Sequence, residues 1–144
     1  MIIGGLARKL GIKGGDRVCL LDAAPEAVDI IRRECPETVT FSETLDEGHY
    51  AVILFWPQEL AGLAERFTEL QQKIVPNGAI WAVMPKKKYV RARGIGFRWE
   101  ELQAAGLQTR LVDNKVASIT EQDYGTRFVI RKEHRRKLDE NKEL

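Results

Sequence analysis

Tyr50-Ala51-Val52-Ile53-Leu54-Phe55-Trp56 is apolar at every position. A strand with one wet face alternates apolar and polar residues. A strand apolar throughout is covered on both faces, as a central strand of a parallel sheet is. The residues that follow support this reading. Pro57 predicts the start of a helix, and Leu60, Leu63, Ala64, Phe67, Leu70 and Ile74 give it one apolar stripe. Pro76-Asn77-Gly78 has the turn chemistry that would end that helix. Ala79-Ile80-Trp81-Ala82-Val83-Met84 is a second fully apolar run, stopped by Pro85. Two such strands joined by an amphipathic helix form a βαβ unit, whose crossover is right-handed.

Upstream, Arg17-Val18-Cys19-Leu20-Leu21-Asp22 is a short apolar run between Gly14-Gly15-Asp16 and Pro25, which predicts a first strand. Pro25 suits the first turn of a helix. Ala27, Val28, Ile30 and Ile31 give that helix an apolar side as far as Glu34, before Pro36. Thr38-Val39-Thr40-Phe41 predicts a second strand, and Ser42 to His49 a polar loop. Downstream, Lys86 to Gly96 reads as a basic irregular loop. Arg98 to Ala105 reads as a short helix stopped by Gly106. Thr109–Ile119 and Thr126–Arg131 read as a hairpin turning at Glu121-Gln122-Asp123-Tyr124-Gly125. The order predicts an α/β fold: a doubly wound, mostly parallel, Rossmann-like sheet ending in an antiparallel hairpin. A barrel would need about 250 residues.

The chain has 144 residues, 44% hydrophobic and 31% charged. This suits one domain, expected over residues 1–131, with a charged tail over 132–144. Net charge is +2, with 23 Lys+Arg against 21 Asp+Glu, too even for a dedicated nucleic-acid protein. The charge is nonetheless uneven along the chain. Residues 1–84 carry eight basic and twelve acidic side chains, and residues 85–144 carry fifteen and nine. No apolar run approaches the ~20 residues of a membrane-crossing helix. The start, Met1 to Lys9, lacks a signal-peptide pattern. Cys19 and Cys35 form neither a disulfide framework nor a Cys-x-x-Cys site, so two buried free thiols in a reducing cytoplasm are expected.

Open α/β sheets bind ligands beyond the carboxyl ends of their strands, where the strand order reverses. That edge should carry Asp22-Ala23-Ala24-Pro25-Glu26, Ser42-Glu43, Trp56-Pro57-Gln58 and Pro85-Lys86-Lys87-Lys88. The layout resembles the class I S-adenosylmethionine-dependent methyltransferase fold, which also ends in an antiparallel hairpin. The resemblance implies a cofactor loop after the first strand, at Asp22, Ala23 and Ala24. It also implies an acidic residue for the ribose hydroxyls, at Glu43, 21 residues after Asp22. The loop departs from the family pattern because it has no glycine to let backbone approach the cofactor. Trp56-Pro57-Gln58 likewise replaces the Asn/Asp-Pro-Pro-Tyr/Phe motif. S-adenosylmethionine is thus possible but not favoured.

A narrower resemblance spans nearly the whole chain. It rests on Leu21-Asp22-Ala23-Ala24-Pro25-Glu26, Pro85-Lys86, Leu111-Val112-Asp113-Asn114-Lys115-Val116 and Arg127-Phe128-Val129-Ile130-Arg131-Lys132. These stretches are similar to a family of small bacterial proteins known only as a domain of unknown function. The chain departs from it at Tyr124-Gly125-Thr126 and Ala117. This resemblance implies the fold and no activity.

Two further clusters are candidates for binding. Lys86, Lys87, Lys88, Arg91, Arg93 and Arg98 are six cations with no acid, interleaved with Tyr89 and Phe97. Such a surface suits an anionic ligand or nucleic acid, or is simply a solvated loop. Arg131, Lys132, Arg135, Arg136 and Lys137 could extend it. Asp113, Asn114 and Lys115 interrupt a strand-like run, as a bulge or as a polar cluster orienting a ligand.

Catalytic signatures are missing. Neither Ser42 nor Ser118 sits in a Gly-x-Ser-x-Gly elbow. His49 and His134, the only histidines, give no metal site and are expected in solvent. Trp56, Trp81 and Trp99 suit core or pocket lining. The sequence therefore favours a non-catalytic, methyltransferase-like binding module, as a monomer or small homo-oligomer. The alternative is a methyltransferase with an atypical cofactor loop.

Overall fold

The computed structural model describes residues 5–133. The elements run α1 (Gly5–Leu10), β1 (Arg17–Leu21), α2 (Pro25–Glu34), β2 (Thr40–Ser42), β3 (Tyr50–Phe55), α3 (Leu63–Gln71) and β4 (Ile74–Pro85). A 3-10 turn (Lys87–Tyr89), α4 (Val90–Arg93), α5 (Trp99–Leu107), β5 (Leu111–Ser118) and β6 (Asp123–Ile130) follow. One six-stranded sheet has the order β2-β1-β3-β4-β6-β5. β1 pairs parallel with β2 and β3, and β3 parallel with β4. β6 runs antiparallel to both β4 and β5. The mostly parallel α/β sheet and its terminal hairpin are as the sequence predicts.

β3 has the expected two covered faces. Ile53 and Phe55 join α3 and α5 in one core, where Phe67 packs edge-on to Phe55 at 5.3 Å. Val52, Leu54 and Trp56 join α1 and α2 in the other. Ile53 and Leu54 are fully buried.

Several expectations give way. α1 was not anticipated. It docks through Leu6, Ala7 and Leu10, and its last carbonyls accept from Trp81 Nε1 (3.2 Å, at Leu10) and Lys115 Nζ (3.1 Å, at Lys9). α3 opens at Leu63 and not at Pro57, because Gly62 just before it is in the left-handed region (φ 76°). Leu60 thus leaves the helical stripe and lies 40% exposed. Pro76-Asn77-Gly78 is no turn but part of β4. The ladder jumps from Tyr50↔Ile74 to Val52↔Ala79, so the surplus residues form a bulge. Gly78 fits there because a Cβ would sit 2.8 Å from the Ala51 carbonyl oxygen. Gly106 does not stop α5; it is buried within the helix, against the Phe128 ring. The hairpin turns before Asp123, since Asp123, Tyr124 and Gly125 already pair with β4.

Among the described residues no helix is long and apolar enough to cross a membrane. Cys19 is buried, whereas Cys35 is only half-buried at the exit of α2. His49 is exposed. His134, Arg135, Arg136, Lys137 and the tail from 134 onward lie outside the described residues.

Candidate functional site

β1 has β2 on one side and β3 on the other, so the strand order reverses at β1. The crevice beyond Leu21 and Phe55 is where such a sheet offers a ligand site. A cleft of about 400 Å³ lies there, lined by Asp22, Trp56, Pro57, Gln58, Gly62 and Arg66 among others. The segment between Trp56 and Gly62, read from sequence as the start of a helix, is its wall.

Asp22 leaves β1 with φ 60°, the one non-glycine residue with positive φ among those described. Aspartate tolerates this region better than most side chains. Its carboxylate lies 3.8 Å from Arg66 Nη2, and Arg66 also pairs with Glu69. The exposed Asp22 makes this a weak contact energetically. The Trp56 N–H donates to the Leu21 carbonyl (3.1 Å) and Gln58 Nε2 to the Trp56 carbonyl (3.2 Å). The edges of β1 and β3 are thereby tied together. The Trp56 indole Nε1 is buried with no hydrogen-bond partner among the described residues.

Asp22-Ala23-Ala24 is the whole connection to α2. Helix N-termini hold anions through free backbone N–H groups. Here Pro25, the first helical residue, has none. The N–H groups of Ala27 and Val28 both donate to the Ala24 carbonyl (3.0 and 3.1 Å). Glu26 keeps its amide, beside its own carboxylate.

The structure separates the expected cofactor residues. Asp22 lines the crevice. Ala23 packs against the α1–α2 core. Ala24 lines a second cleft of about 490 Å³ with Glu26, Ile30, Arg93, Thr120 and Asp123. Glu43 is exposed and lines neither. Around it the loop bonds to itself. The Ser42 and Thr44 hydroxyls donate to Asp46 at 3.0 and 3.1 Å, and the Asp46 N–H donates to Tyr50 Oη at 3.0 Å. Asp22, Ala24 and Glu43 therefore share no single cleft.

The basic window is folded and not an irregular loop. Lys87, Lys88, Arg91 and Arg98 are exposed and Lys86 is half-buried. Arg93 instead donates to Asp123 Oδ1 at 3.0 Å, and Asp123 is 5% exposed. Arg98 is occupied with Glu101, 3.6 Å away. Phe97 is core and offers no stacking face. Tyr89 is half-buried, with Lys88 Nζ 5.7 Å from its ring. The exposed set is thus smaller than the sequence suggests.

Asp113, Asn114 and Lys115 form a bulge on the edge strand β5, midway along it and away from the crevice. The register passes from Asp113↔Phe128 to Lys115↔Arg127 and leaves Asn114 over. Asp113 accepts from Gln103 Nε2 (3.1 Å), and Lys115 caps α1.

Burial pushes both thiols up to about 11, aided at Cys19 by Asp46 and at Cys35 by Glu34. Neither is a thiolate nucleophile at neutral pH. Among the described residues no cluster of His, Cys, Asp and Glu could hold a metal ion.

No family model matches the chain, and no curated protein matches it by sequence. Solved structures do match it in fold. The N-methyltransferase NodS of Bradyrhizobium japonicum WM9 superposes with TM-score 0.60 at 10% identity, over 87% of this chain and 92% of that one. The magnesium protoporphyrin IX methyltransferase ChlM of Synechocystis PCC 6803, solved with bound SAH, gives 0.59 at 9%, over 87% and 78%. A TehB-like SAM-dependent methyltransferase of Corynebacterium glutamicum ATCC 13032 gives 0.54 at 10%, over 90% and 89%. The chain has a methyltransferase-like, Rossmann-type fold.

Proposed function

We propose that this chain is a binding module built on the methyltransferase fold and that it does not transfer methyl groups. The observation that carries this reading is the turn Asp22-Ala23-Ala24-Pro25. A cofactor held at the switch point needs backbone close by and free amides at the helix start. This turn has side chains at every position, a proline without an N–H at the first helical residue, and its Ala27 amide turned back onto the Ala24 carbonyl. Glu43, the candidate for the ribose hydroxyls, stands outside the crevice.

The surface offered to a partner is the exposed cationic turn of Lys87, Lys88 and Arg91, joined by the half-buried Lys86. Following β4 in a parallel sheet, it emerges on the same edge as Asp22 and Trp56. It suits an anionic partner, nucleic acid included, held mainly through phosphate contacts. Free thiols with no disulfide suit a reducing, cytoplasmic setting.

Isothermal titration with S-adenosylmethionine tests the first part. The expected result is weak or absent binding; low-micromolar affinity or better overturns the non-catalytic reading. Fluorescence anisotropy with short RNA and DNA oligomers, from about 50 to 200 mM salt, tests the second. Affinity should fall with salt, and no binding at the lowest salt overturns the anionic partner.

A further inference from the structure

The end of the sheet opposite the switch point holds another cleft, of about 350 Å³. It lies between the last turn of α3, the first residues of β4, Arg110 before β5 and the end of β6. Ile74 and Ile130 give it an apolar floor, and both are nearly fully buried. His49, Thr68, Gln71 and Arg110 supply polar groups at its mouth. Its volume falls at the small end of the ~300–1,000 Å³ typical of small-molecule sites, which combine apolar walls with a few placed polar groups.

The charges here have one sign. Among the described residues no Asp or Glu lines the cleft. The Arg110 backbone N–H donates to Gln71 Oε1 (2.9 Å), which pins the residue at the mouth. Its guanidinium forms no ion pair among the described residues. Beside it, the Arg131 N–H donates to the Arg110 carbonyl (3.0 Å). Arg131 carries a buried guanidinium Nε with no hydrogen-bond partner among the described residues. Arg131 does not itself line the cleft. Arg110, with no carboxylate beside it among the described residues, leaves a potential that an anion would relieve, and its guanidinium matches a carboxylate in a two-point fork.

We infer that this cleft binds a small carboxylate with an apolar tail, the tail against Ile74 and Ile130 and the carboxylate on Arg110. The site is independent of the switch-point crevice and needs no cofactor there.

The test is amide NMR of the full chain labelled with ¹⁵N, titrated with sodium hexanoate. Hexylammonium chloride serves as the charge-reversed control and sodium acetate as the tailless one. Hexanoate should shift the amides of Gln71, Gln72, Ile74 and Arg110 saturably, and the two controls should not. Arg110→Gln keeps the backbone N–H and alters an exposed side chain, so the fold is retained. It should weaken hexanoate at least fivefold. The inference is overturned by no saturable shift with hexanoate, by equal saturation with hexylammonium or acetate, or by unchanged affinity in Arg110→Gln.

Discussion

The two ends of this sheet differ in how the chain treats them. At the carboxyl end its own side chains occupy much of the edge, leaving over the Trp56 indole N–H and the cations Lys87, Lys88 and Arg91. Arg66 reaches to Asp22, Arg93 is sunk onto Asp123, and Phe97 is drawn into the core. At the amino end Arg110 stands over an apolar floor with no carboxylate among the described residues to meet it. The fold makes the carboxyl end the place for a ligand. Whether a ligand enters depends on which polar groups remain unspent there, and that is a property of side chains and not of topology.

The largest perturbation should strike both ends together. Ile53→Ala empties a fully buried position in the strand that supports both cores and should cost ~2–5 kcal/mol in chemical denaturation. A loss below about 1 kcal/mol would mean that β3 is not the central support.

The next effect should fall on the carboxyl end alone. Arg93→Ala leaves Asp123 buried and unpaired and should cost about 1.5–3 kcal/mol, the range for hydrogen bonds to charged groups. A neutral result would return Arg93 to the set of free cations and restore the wider basic surface. Gly106→Ala is a matched probe of the other face, where the new methyl collides with the Phe128 ring. A loss of about 1–3 kcal/mol is expected, as for other overpacked sites.

How much of this was legible beforehand follows from the kind of signal involved. Tyr50–Trp56 and Ala79–Met84 were readable because double-sided burial leaves no polar residue in the strand. The turn after β1 was readable for a similar reason, since a missing glycine is visible in the sequence itself. The α3 boundary was misplaced because Leu60 fits the helical period by chance and the break lies in the φ of Gly62. α1 was legible in principle from Leu6, Ala7 and Leu10, but six residues give little periodicity. Arg93 and Arg91 look alike in a basic run. Only tertiary structure brings Asp123, thirty residues away, against one of them. The amino-end cleft gathers residues from 49 to 130, and no local motif could announce it.

The smallest expected effect on stability is also the most selective for function. Lys86, Lys87 and Lys88 changed together to Ala should each alter stability by less than about 0.5 kcal/mol, as surface positions do. The same change should lower affinity for an RNA or DNA oligomer and flatten its salt dependence. Loss of stability without change in affinity would show that the turn is structural.

The central claim is that the carboxyl end does not accept S-adenosylmethionine, and the most direct measurement is site-resolved. In the amide spectrum of the ¹⁵N-labelled chain, the indole N–H of Trp56 and the amide of Asp22 report on the crevice, and the amides of Ala23 and Ala24 on the turn beside it. Titration with S-adenosylmethionine should leave these four signals in place or move them without saturating. Saturable shifts of Trp56 and Asp22 at low-micromolar ligand would contradict the account and make this end of the sheet a working cofactor site.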